Sequence, residues 1–172
     1  MRAHPFVLLM IGSVLTACAT GRPSCTVETS RVQTRVGSAS CALMHEGELL
    51  LIRHLYSGKL DLPGGSAKTG ETAQCTAHRE TWEETGIAVT VHEPLPGLTQ
   101  VFRCEPVNPE VLRRKPGIPW WSRTEVTGIL WRNPSTIGPA EWRYGSGILA
   151  LQKALGSPPS PPVADSLPPD SK

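Results

Sequence analysis

Residues 65–87 read GSAKTGETAQCTAHRETWEETGI, and the acids in this stretch decide how the rest of the chain is read. Glu80, Glu83 and Glu84 fall within five residues. On a helix that turns about 100° per residue, they share an arc of roughly 100° on one face. Glu80 then meets like charges at i+3 and i+4. Glu83 and Glu84 sit near a C-terminus, where the macrodipole already disfavours anions. Each penalty is small, but all have the same sign, and no Lys follows to relieve them. A divalent cation reverses the balance, because hard cations prefer clustered carboxylate oxygens.

Local punctuation predicts the ends of that helix. Pro63-Gly64-Gly65 forces a loop before it, Thr72 suits the N-cap, and Gly86 suits the position just past the C-terminus. Arg79 precedes Glu83 by four residues, close enough to fix its rotamer. As a whole, the stretch resembles the Nudix box of hydrolases acting on nucleoside-diphosphate-linked compounds, G-x5-E-x7-R-E-U-x-E-E-x-G-U with U aliphatic. Gly65, Glu71, Arg79, Glu80, Glu83, Glu84, Gly86 and Ile87 fill its fixed positions. Thr81 departs from it, standing where an aliphatic residue is usual. That change is expected to weaken helix packing and leave the acids intact.

The resemblance implies an α/β (α+β) fold: an α/β/α sandwich with a mixed central sheet and the box as loop-helix-loop. It also implies hydrolysis of a diphosphate linkage with Mg²⁺ or Mn²⁺ held by Glu80, Glu83 and Glu84, Glu84 being the firmest ligand. Glu80 or Glu125 would act as general base. Glu125 is chosen because residues 125–131, EVTGILW, look like the late strand that carries a further carboxylate in this family; Glu110 and Glu141 are alternatives. Glu71 lies about 140° around the helix from Glu84, so it is expected to orient Arg79 or the loop. Arg53 ends an apolar run and is a candidate for substrate phosphate, or for a surface ion pair. The Gly64-Gly65 backbone can approach a phosphate closely. Trp120-Trp121 can stack on a base, cover an apolar substrate or pack within the fold.

The N-terminus points to export. Arg2 precedes an apolar run over residues 6–15, too short for a membrane span of about 20 residues. It reads as a secretory signal peptide covering residues 1–17. LTAC at 15–18 resembles the bacterial lipobox, which implies acylation of Cys18 and anchoring at the periplasmic face of the envelope. Ala19 after it favours the outer membrane. Residues 18–37 are then an anchor and lead-in, 38–155 the Nudix domain, and 156–172 a disordered tail with six prolines among 17 residues.

A formal charge of +2 on the whole chain gives no reason to expect a nucleic acid polymer as partner. Cys25, Cys41, Cys75 and Cys104 allow two disulfides in three connectivities, and no C-x-x-C spacing suggests zinc. In the family, the position of Cys75 is usually polar and exposed. A tie from Cys75 to the strand ending at Cys104 is therefore expected, which leaves Cys25 with Cys41.

Strands are expected over 38–44, 48–54, 87–92, 98–104 and 125–131, with a closing helix over 144–155. Residues 57–65 and 93–97 read as loops. Residues 105–121 read as an insertion carrying four prolines and Arg113-Arg114-Lys115. The substrate is expected to be a nucleoside-diphosphate-linked or lipid diphosphate. Residues 60–86 also resemble a Nudix subgroup fused to type-2 phosphatidic acid phosphatases, which suggests the lipid class. The alternative function is a catalytically silent, ligand-binding lipoprotein of the same fold.

Overall fold

The structure, a computed structural model, describes residues 21–28 and 35–156. The expected signal peptide, Cys18 and the tail from residue 157 onward lie outside the described residues. Among the described residues, no helix is long and apolar enough to cross a membrane.

Strands β2 (Ala39–His45) and β3 (Glu48–His54) form the expected hairpin. Its two-residue turn has positive φ at both Glu46 (49°) and Gly47 (81°), which matches the right-handed twist of the flanking strands. β3 pairs antiparallel with β4 (Leu60–Asp61) and with β8 (Val126–Arg132). β2 pairs antiparallel with β5 (Gly64–Gly65) and parallel with β7 (Leu98–Pro106). β6 (Val89–Leu95) pairs antiparallel with β7, and β1 (Thr26–Val27) lies parallel to β6. The result is a mixed open sheet.

The alternation of side chains along β2 and β3 divides the core in two. Cys41, Leu43, Leu50 and Ile52 pack with Ala73 and Ala77 of α1 (Ala73–Thr85), the box helix. Ala42, Leu49 and Leu51 pack with Ile148 and Leu151 of α2 (Gly147–Ala154). One helix thus covers each face, and the run Leu49 to Ile52 is fully buried because both faces are covered.

Several expectations need correction. β6 continues through Pro94 to Leu95 rather than ending at residue 92. The register shifts on both sides of Pro94, and such an irregularity accommodates a residue that lacks an N–H. Leu60–Asp61 and Gly64–Gly65 are short strands where loop was expected. Residues 105–121 contain a 3₁₀ turn at Pro109–Arg113, and another spans Trp120–Ser122.

The disulfides join Cys25 to Cys75 and Cys41 to Cys104, not Cys75 to Cys104 and Cys25 to Cys41. Parallel pairing of β2 with β7 aligns Cys41 with Phe102 and Leu43 with Cys104, so the two cysteines lie two residues apart in register with Cα atoms 5.6 Å apart. Docking of β1 on β6 brings Cys25 to the first turn of α1.

Candidate functional site

The box helix forms between the caps that the sequence supplies. Thr72 Oγ1 accepts from the Cys75 N–H at 3.3 Å, and Gly86 adopts φ 73° with its N–H donating to Trp82 O at 2.8 Å. Thr81 is fully buried, and its hydroxyl donates to Ala77 O at 2.8 Å. This back-bond satisfies the polar atom that replaces an aliphatic side chain.

Arg79 is buried on this helix and holds the site together. Its Nε and Nη2 donate to the two oxygens of Glu71 at 2.8 and 2.9 Å, and Nη2 also reaches Ser66 O at 2.8 Å. Nη1 donates to Glu80 at 2.7 Å and to Glu83 at 2.8 Å. Glu71 therefore braces Arg79, as expected. The guanidinium, with help from the Lys68 N–H and the Thr76 hydroxyl, holds the Glu71 carboxyl down to about 2.

Glu84 has the opposite environment. It is buried, and its Oε2 accepts the Gly64 N–H at 2.8 Å. Burial, with the negative charges of Glu80, Asp61 and Glu125, pushes its pKa up to about 8 against that hydrogen bond.

Glu80, Glu83, Glu84 and Glu125 line a single cavity of about 310 Å³, together with Arg22 and Trp121. Glu110 and Glu141 are not brought there: Glu110 pairs with Arg113 at 3.5 Å and Glu141 with Arg132 at 2.7 Å. Trp121 stacks on Trp82 with ring centroids 5.1 Å apart and donates its indole N–H to Glu83 O at 2.8 Å. It therefore caps the C-terminal end of the helix, while Trp120 is left exposed.

The donor set fits a hard dication. It offers four carboxylates, one of them the buried Glu84, whose pKa is raised by burial and by its anionic neighbours, a penalty that a bound dication relieves. The carboxylates do not form a preassembled cage, because Glu80 and Glu83 lean on Arg79 and Glu84 leans on Gly64. Elsewhere, Glu28, His92 and Glu93 bring ligand atoms within 4.8 Å of one another. There Glu93 is already engaged by Arg103 at 2.9 Å.

Gly64 and Gly65 line a second cavity of about 450 Å³ with Ser40, Asp61, Gln100 and Arg143. Their lack of side chains serves close packing. A Cβ on Gly65 would lie 2.5 Å from Glu80 Oε1, and one on Gly64 would lie 2.6 Å from Ala39 O.

Arg53 lines neither cavity; its guanidinium donates to Gly58 O at 2.8 Å. The basic group of the larger cavity is Arg143, 2.7 Å from His54 Nε2 and 3.5 Å from Asp61 Oδ2. Sequence reasoning missed both Asp61 and Arg143. Backbone bonds from Leu60 N–H to Glu141 O and from Arg143 N–H to Leu60 O join them, and no local spacing signals such a long-range pairing. A carboxylate set between leucines in LDLP was the one available hint.

The family model of the NUDIX domain matches residues 34–143. A MutT-like protein of Streptomyces ambofaciens is 34% identical over 111 residues, which are 59% of this chain and 66% of that protein. A NUDIX hydrolase from Nitrosomonas europaea resembles the fold with a TM-score of 0.53 at 20% identity, over 79% of this chain and 97% of that one. An ADP-ribose pyrophosphatase from Streptococcus suis resembles it with a TM-score of 0.51 at 17% identity, over 69% of this chain and 89% of that one.

Proposed function

This chain belongs to the NUDIX domain family, and on that premise we propose that it is a divalent-metal-dependent hydrolase of diphosphate linkages. The observation that carries this reading is the convergence of Glu80, Glu83, Glu84 and Glu125 on one cavity, with Arg79 bracing two of them.

A diphosphate repels a hydroxide nucleophile, so the site must neutralise charge and aim a water in line with the bond that breaks. Glu80, Glu83 and Glu84 would hold Mg²⁺ or Mn²⁺, which when bound supplies charge neutralisation and polarises a phosphoryl oxygen. Glu80 or Glu125 takes the proton of the attacking water. Arg79 keeps Glu80 and Glu83 in fixed rotamers, and the Gly64 N–H orients Glu84. The anhydride P–O bond breaks, and two phosphate-bearing products leave.

The substrate is a nucleoside-diphosphate-linked compound or a lipid diphosphate of the bacterial envelope. Two disulfides support an oxidising compartment. The leader-like run before Cys18 supports export and lipid anchoring at the periplasmic face.

A screen of soluble and lipid-linked diphosphates with Mg²⁺ and Mn²⁺ tests the reading, with E84Q as the control. The variant should keep the fold and lose more activity than the roughly 10–100-fold that outer-shell partners of a metal cost. Wild-type turnover by E84Q would refute the assignment.

A further inference from the structure

Residues 22–28 form a strap fastened onto the box helix. Cys25 is bonded to Cys75 in the first turn of the helix. Thr26 and Val27 run parallel to Thr90 and Val91 of β6, and the Glu28 N–H donates to Val91 O at 3.1 Å. Ahead of Cys25, the chain lies along the helix and brings the Arg22 guanidinium onto Glu83 Oε1. The reach is consistent, since residues 75 to 83 advance about 12 Å along a helix axis. Three extended residues cover about 10 Å, and the arginine side chain supplies the rest.

Arg22 lines the same cavity as Glu80, Glu84 and Glu125. The guanidinium of Arg79 does not line the cavity; it is buried and engaged with Glu71, Glu80, Glu83 and Ser66. Arg22 is different: its side chain keeps 45% of its surface exposed and makes its ion pair with Glu83. Glu83 does not depend on that pair, because Arg79 donates to it at 2.8 Å and Lys68 Nζ lies 3.6 Å away. Charge balance also calls for a further cation. A diphosphate adds negative charge to a cavity already walled by Glu80, Glu83, Glu84 and Glu125, more in sum than Arg79, Lys68 and one dication offset. Guanidinium is the side chain best suited to grip phosphate oxygens in pairs.

We propose that Arg22 is a substrate-binding residue, delivered by the disulfide-fastened strap to receive the phosphate oxygens of the diphosphate. The proposal rests on the diphosphate reading of the acidic cavity.

The test compares wild type, R22A, R22K, C25S/C75S and the triple variant R22A/C25S/C75S, each checked for folding by thermal melting. For each, kcat and KM are measured on a cleavable diphosphate. Calorimetry measures affinity for methylenediphosphonate, a diphosphate that cannot be hydrolysed, with Mg²⁺ present. R22A should raise KM and weaken the analogue about tenfold, the scale of one charge-assisted hydrogen bond, and leave kcat within about twofold. R22K should recover part of the loss. C25S/C75S should reproduce R22A, and the triple variant should add nothing to it. If the double-cysteine variant does not fold, R22A and R22K still decide the matter with the disulfide intact.

Unchanged KM and analogue affinity in R22A overturn the proposal. So does an R22A effect that is equally large without the disulfide. Loss of analogue binding in R22A in a protein that shows no turnover leaves Arg22 in place and removes the hydrolase reading. Turnover by a wild type that takes up no analogue does the reverse.

Discussion

Glu71 and Glu84 belong to the same box, yet their surroundings drive them apart: Arg79 holds one near 2, and burial lifts the other to about 8. The Glu71 shift has a consequence for stability. Its folded pKa lies below its unfolded value of 4.5, so between the two the folded state binds fewer protons. The stabilisation is complete above pH 4.5 and disappears as pH falls towards 2. E71Q should cost about 1–2 kcal/mol at pH 7 after allowance for solvent screening. The difference from wild type should shrink to nothing in the acid limit, as read by urea unfolding across a pH series. A pH-independent difference would show that the carboxylate charge is not the cause. The contact of Arg79 with Glu83 was legible in the sequence because i,i+4 helix spacing places it. Glu71 lies ahead of the N-cap, and the sequence left open whether it would orient Arg79 or the loop. Arg143 and Asp61 were not legible, since 82 residues separate them and only the pairing at Leu60 brings them together.

At the scale of elements, β5 and α1 meet through two adjacent glycines with different duties. An added methyl at Gly64 would meet Ser40 Cα and Ala39 O, both at 2.6 Å, in backbone that β2 fixes. G64A should therefore lower stability by about 1–3 kcal/mol, as overpacking does. At Gly65 the methyl would meet the end of Glu80, a flexible side chain that can swing away. G65A should cost less than G64A, about 1 kcal/mol for the lost hydrogen bond between Glu80 and Arg79, and should lower activity by displacing Glu80. Urea unfolding and initial rates of the two variants check this. Equal stability losses would contradict it. The sequence marked these glycines as a close-approach point. It left open what approaches them, because the strand opposite Gly64 lies 24 residues upstream.

The described residues form one sheet with a core on each face, and the disulfides fasten different parts of it. Cys41–Cys104 is buried between β2 and β7, while Cys25–Cys75 ties the N-terminal strap to the box helix. Removing Cys41 and Cys104 should lower global stability by about 2–4 kcal/mol. Removing Cys25 and Cys75 should chiefly release residues 21–28, raising their amide exchange with a smaller global cost. An equal global cost for the two would contradict that division. The box helix, the hairpin and the long strands followed in outline from periodicity and turn residues. The two-residue strands at Leu60–Asp61 and Gly64–Gly65 did not, and the closing helix is shorter than expected, Gly147–Ala154. The disulfide pairing did not, because it depends on strand order across the sheet, which no local pattern encodes.

The most direct test of the central claim, that this acidic cavity exists to hold a dication against a diphosphate, is calorimetric titration of wild type and E84Q with Mg²⁺ and Mn²⁺. Saturable uptake by the wild type that is largely lost in a folded E84Q is the predicted result. No uptake by the wild type, or undiminished uptake by E84Q, would contradict it.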